Sequence, residues 1–145
     1  MTGTAAGARG PGRRGWRALP APLGAAAAVA AGAAFVGAVD PNEPGRYPAC
    51  PFLTLTGLYC PGCGGLRAVH ALTRGDLAAA FDLNPVLVPL AAALVLLWAC
   101  WTVAAWRGTA FPVKITRPGY AWAFLVLMVT FWIGRNLPIG EFLAP

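Results

Sequence analysis

A chain of 145 residues that is 58% hydrophobic and 11% charged is too apolar for an ordinary soluble domain, in which about a quarter of the residues carry charge. A net charge of +6 raises nucleic acid as a partner, but no nucleic-acid motif accompanies it, and the basic residues fall where a membrane-topology signal would put them. No nucleotide-binding loop, Ser/His/Asp set or pair of carboxylates on one helix face is present, which disfavours hydrolase and kinase chemistry and weighs against an enzyme.

Residues 1–17 are rich in Gly, Ala, Thr and Arg, with Pro11 interrupting, and read as a disordered basic tail. Residues 18–39 carry no charge. At a rise of about 1.5 Å per residue such a run covers the roughly 30 Å of a hydrocarbon core, so this is the first predicted span. Gly24, Ala28 and Gly32 recur along one face at the spacing that lets membrane helices approach closely. A rival reading makes this segment a cleaved signal peptide, with Arg13, Arg14 and Arg17 as its basic region and Val36-Gly37-Ala38 as the cleavage site; its apolar run is longer than a usual signal core.

The loop 40–83 follows. Pro41, Pro44, Pro48 and Pro51 forbid a regular helix from Asp40 to about Phe52. After the cysteines, Gly65 to Arg74 reads as a short helix with Leu66, Val69 and Leu72 on one side, stopped by Gly75. Asp76 is the N-cap of a second short helix, Leu77 to Leu83. Both pieces are expected at the outer membrane interface. Asn84-Pro85 opens the second span, 84–106, with Asn84 as cap and Pro85 at the first helical position. Cys100, inside that span, reads as a small buried hydrophobe. The third span, 118–134, is at the lower length limit and crosses if Arg117 and Arg135 snorkel to opposite interfaces. Trp16, Trp106 and Trp122 fall near one interface and Trp132 near the other.

Charge sorts along this frame. Arg9, Arg13, Arg14 and Arg17 in the tail, and Arg107, Lys114 and Arg117 between the later spans, have no acid beside them. The positive-inside rule then puts the N-terminus in the cytoplasm and the cysteine loop outside. The chain reads as an all-α integral protein of the cell membrane, with residues 18–145 as one membrane domain. Its partners are the lipid bilayer and a membrane protein or further copies of itself.

Chemistry concentrates at Cys50 and at Cys60-Pro61-Gly62-Cys63. Three readings are open. A disulfide from Cys50 to Cys60 or Cys63 would staple the loop into a rigid platform for a partner. A redox role would use Cys60 or Cys63 as nucleophile and Cys50 as resolver, a C-x-x-C turn at a helix start being able to lower a thiol pKa. A metal site, Cys-Pro-x-Cys-Gly being a turn of zinc and iron sites, would draw on Cys50, Cys60, Cys63 and His70. His70 stands about 7–8 Å along its helix, however, too far from the turn for a straightforward four-ligand set. No cofactor is required by the sequence. Arg67 is placed to pair with Asp76 or Asp82, or to sit beside a thiolate. Arg135-Asn136 closes the last span, where burial of the arginine would call for a partner.

The run Thr56-Gly57-Leu58-Tyr59-Cys60-Pro61-Gly62-Cys63-Gly64-Gly65-Leu66-Arg67-Ala68, together with Cys50-Pro51, Gly75-Asp76-Leu77, Asn84-Pro85 and Arg135-Asn136-Leu137-Pro138, resembles the signature of an uncharacterised, domain-of-unknown-function family of small bacterial membrane proteins. The resemblance implies a membrane location and a functional focus on the cysteine segment. It adds Gly57, Pro61, Gly62, Gly64, Arg67, Asp76, Asn84, Arg135 and Asn136 to the residues of interest and implies no substrate.

Overall fold

Pro20, Pro51 and Pro118 each begin a helix, and Gly57 and Gly108 each end one. The computed structural model describes residues 15–110 and 118–145. A 3-10 turn, Gly15–Ala18, leads into α1 (Pro20–Ala38), followed by α2 (Pro51–Thr56), α3 (Gly65–Thr73), α4 (Leu77–Leu83), α5 (Leu87–Arg107), α6 (Pro118–Arg135) and a closing 3-10 segment, Pro138–Leu143. Every regular element among the described residues is helical. The basic residues Arg9, Arg13, Arg14, Lys114 and Arg117, on which much of the charge argument rests, lie outside the described residues.

Two helices, α1 and α5, are long and apolar enough to cross a membrane. Only 6% of each apolar window is buried within the chain, so neither is the enclosed core helix of a water-soluble fold. They run antiparallel: the Trp98 Nε1–H donates to the Pro22 carbonyl at 2.9 Å, and Trp16 meets Trp106 edge to face at 5.1 Å. These contacts tie the start of α1 to the later half of α5. Helix α6, at 18 residues, does not join α1 and α5 as a helix meeting the same test among the described residues. The Gly24 and Gly32 positions face open space, so the small-residue stripe of α1 makes no helix contact within the chain.

The packed part lies at the other end of α1. Gly37 accepts the Thr73 side chain of α3 so closely that an added Cβ would sit 3.0 Å from its hydroxyl. The last carbonyls of α1, which have no partner within the helix, are met from α3: His70 Nδ1 lies 2.9 Å from the Val36 carbonyl, and Arg74 donates to Gly37 at 3.4 Å. Arg74 also adds favourable charge at a helix C-terminus. Helices α3 and α4 pack through Ala68, Ala71 and Ala80, with Leu72, Leu83, Leu87 and Val88 around them. Of the leucine and valine stripe read on α3, Leu72 packs against this cluster while Leu66 stays 46% exposed.

The turn between these helices follows its sequence. Gly75, at φ 78°, takes the left-handed position that a side chain disfavours. Its N–H reaches Leu72 and that of Asp76 reaches Ala71, a Schellman closure. Asp76 then caps α4 by accepting from the Ala79 N–H at 2.9 Å. The stretch from Asp40 to Cys50 forms no regular helix, as its prolines require, but α2, which the sequence reading did not include, begins at Pro51, where no N–H is needed. Two expectations need correction. Helix α5 begins at Leu87 rather than Asn84, although the Asn84 side chain still accepts from the Leu87 N–H at 3.1 Å. Cys100 is exposed on α5 rather than buried.

A candidate thiolate metal centre

Three sulfurs meet where α2, α3 and the end of α6 converge. Cys50 is the N-cap of α2, and Cys60 and Cys63 flank the turn before α3. Cys50 Sγ lies 3.5 Å from Cys60 Sγ, which lies 3.1 Å from Cys63 Sγ, and all three fall within 4.8 Å of one another. These separations exceed an S–S bond of about 2.05 Å, and the cysteines are free thiols. They suit ligands around one ion: a tetrahedral site with metal–sulfur bonds of about 2.3 Å puts neighbouring sulfurs about 3.8 Å apart.

The turn is held by groups distant in sequence. Arg135 is only 2% exposed. Its Nη1 donates to the carbonyls of Cys60 (3.0 Å), Cys63 (3.2 Å) and Pro61 (3.4 Å), and its Nη2 to that of Leu143 (3.0 Å). The guanidinium lies 4.9 Å from the Phe131 ring centroid and 5.8 Å from that of Tyr59, while Nε is buried without a hydrogen-bond partner. Arg135 therefore does not snorkel. The partner its burial called for is a set of carbonyls, close to thiols that can become anions.

Asn136 clamps the residue before the turn. It accepts from the Tyr59 N–H at 2.8 Å and donates to the Tyr59 carbonyl at 2.9 Å. Asn84, 3% exposed, donates to the carbonyls of Pro61 (3.1 Å) and Cys63 (3.3 Å), so its amide joins α5 to the cysteine turn as well as capping. Gly64 has φ 80°, and a Cβ there would fall inside the Leu83 carbonyl oxygen and 2.7 Å from Pro145. With carbonyls facing Arg135 and Asn84, the sulfurs point the other way, and the Cys60 N–H donates to Cys63 Sγ at 3.3 Å.

The three thiols differ in environment. Cys63 is 8% exposed, and burial, reinforced by the Cys60 thiol, pushes it up to about 12. Cys50 is held below its ordinary value by the Leu53 backbone N–H at the start of α2, then by the Cys60 thiol. One sulfur is thus disposed to ionise and another to keep its proton.

His70 stands apart from this group, at the end of α1, with Nε2 3.9 Å from the Asp40 carboxylate. Arg67 lines the cleft beside the cysteines and forms no ion pair with Asp76 or Asp82. Gly57 ends α2 at φ 72°. Gly62 meets only the Cys60 sulfur, at an ordinary 3.8 Å from an added Cβ. What the sequence left without a role is the Tyr59 backbone clamp and the Leu143 carbonyl, whose partners come from the far end of the chain.

Residues 50–98 match the model of a family described as a protein of unknown function, DUF2752. That stretch runs from Cys50 to Trp98 and holds all three clustered cysteines and Asn84; Arg135 and Asn136 lie beyond it. No curated protein and no solved structure matches the chain.

Proposed function

We propose that this chain, similar over its cysteine segment to a family of unknown function, is a membrane-anchored metal-binding protein in which Cys50, Cys60 and Cys63 hold one ion of the zinc class. The observation that carries the reading is the convergence of three unbonded sulfurs within 4.8 Å. A disulfide-stapled platform would use two of them and leave the third idle. Soft thiolates select zinc and similar ions, and three protein ligands leave a fourth position for water or an external ligand. Three thiolates around a divalent ion carry a net negative charge, and the Arg135 guanidinium behind the turn offsets it.

The membrane setting rests on the exposed apolar surface of α1 and α5, which lipid would cover. We assign α6 as a third span, with the cysteine loop on the extracytoplasmic face. Residues 18–145 then form one membrane domain that acts as an accessory component beside a membrane partner or further copies of itself. A membrane-impermeant maleimide applied to intact cells should label Cys50 in the metal-stripped protein; labelling only after permeabilisation would reverse the topology.

The function is tested by metal content. Chain purified in detergent, loaded with zinc and freed of excess ion should retain one zinc per chain, and Cys60→Ser should abolish retention. Equal zinc in wild type and the three serine variants, or none in any, would overturn the assignment.

A further inference from the structure

The three sulfurs form a triangle whose members are not equivalent. Cys60 touches both neighbours, at 3.5 Å and 3.1 Å. Cys50 and Cys60 are partly exposed while Cys63 is buried. All three border an open cleft of about 540 Å³, with Tyr47, Arg67 and Pro145 among its other walls. The backbone beneath Cys60 and Cys63 is fixed by Arg135 and Asn84, so the cluster is held in place before any reaction. A disulfide from Cys60 to either neighbour requires the sulfurs to close by only about 1–1.5 Å.

We propose that the same residues, when free of metal, carry out ordered thiol–disulfide exchange with an external disulfide, Cys50 meeting the substrate, Cys60 acting as pivot and Cys63 as the buried store. In the first step the Cys50 thiolate attacks one sulfur of R–S–S–R. A new S–S bond joins Cys50 to one R–S group, the S–S bond of R–S–S–R breaks, and the other half leaves as R–S⁻ to take up a proton. The Cys60 thiolate then attacks the Cys50 sulfur, forming the Cys50–Cys60 disulfide and expelling the second R–S⁻. The protein has lost two electrons and two protons and the external disulfide has become two thiols. In the third step, which is redox-neutral, the Cys63 thiolate attacks Cys60, giving the Cys60–Cys63 disulfide and returning Cys50 as a thiolate. The attacking group in exchange is the thiolate. Cys50, partly exposed at the cleft, suits the first step, and Cys63, buried beside Cys60, suits the last.

This inference uses the sulfurs of the proposed metal site but not the ion, and one experiment separates the two. Full-length protein in detergent, carrying Cys100→Ser to remove the exposed thiol of α5, is stripped with chelator and reacted with oxidised glutathione. It is quenched by alkylation and its disulfides are mapped by mass spectrometry, and zinc retention is measured on the same preparations. The Cys50–Cys60 bond should appear first and convert to Cys60–Cys63. Cys60→Ser should stop at a glutathione adduct on Cys50, and Cys50→Ser should slow glutathione consumption by about tenfold or more, as loss of the first attacking thiol requires. An adduct forming first on Cys63, or consumption by Cys50→Ser at the wild-type rate, would overturn the relay. Zinc retention without exchange would sink the relay alone, and exchange without zinc retention would sink the metal assignment alone.

Discussion

Arg135 sets the terms at the scale of single residues. A guanidinium buried to 2% exposure is costly unless its donors are satisfied, and four carbonyls from two separate segments take up its two Nη groups, leaving Nε as the unpaired donor. Its planar fork is what allows one side chain to serve Cys60, Pro61, Cys63 and Leu143 together; a lysine ammonium cannot reproduce that spread. Arg135→Lys should therefore weaken zinc binding by roughly 10–100-fold, the usual scale for a group that orients metal ligands, measured by competition with a chelating dye. Unchanged affinity would show that the turn holds itself.

Cys63 supplies a pH dependence. Burial raises it from the ordinary 9.0 to about 12, so the neutral thiol is favoured in the folded state. Its contribution to stability is fully present below pH 9 and is lost as pH rises toward 12. Cys50, lowered, works in the opposite sense: its contribution is present above its unfolded value and fades as pH falls through the folded one. Metal-free protein should lose thermal stability above pH 9, and Cys63→Ala should lack that alkaline loss. A wild-type melting temperature flat from neutral pH to pH 12 would contradict the burial argument.

At the scale of elements, the docking of α3 against the end of α1 positions the cysteine turn with respect to α1. Gly37 lies close against α3, with the Thr73 Cβ 3.3 Å from where a side chain would begin. Gly37→Val should push α3 away at a cost of about 1–3 kcal/mol, the range for overpacking a close contact. Thermal unfolding in detergent measures it, and a neutral effect would mean that the contact is loose. Local signals made many of these elements readable: charge-free runs for the long helices, Gly75 and Asp76 between α3 and α4. Helix α2 was not readable, because a proline that forbids a helix before it can begin one itself. The alanine contacts between α3 and α4 were not readable either, since alanine is silent in a hydrophobic pattern, although Leu72 of the predicted stripe packs against them.

For the whole molecule, the site joins residues that lie far apart in the chain. Tyr59 and Asn136 are 77 positions apart, and Cys60 and Arg135 are 75. Nothing local in Arg135-Asn136 predicts that pairing. The family resemblance marked both residues as part of a pattern, and the fold supplies the physical reason, an amide clamp and a guanidinium fork under the cysteine turn. The cysteines themselves were legible as a cluster, but not which groups would orient them, nor that His70 would be taken up by the end of α1. X-ray absorption at the zinc edge of the loaded protein tests the central claim most directly. The account predicts three sulfur ligands at about 2.3 Å and one lighter fourth ligand, with a sulfur lost in each of Cys50→Ser, Cys60→Ser and Cys63→Ser; two or fewer sulfurs in the wild type, or four, would contradict it.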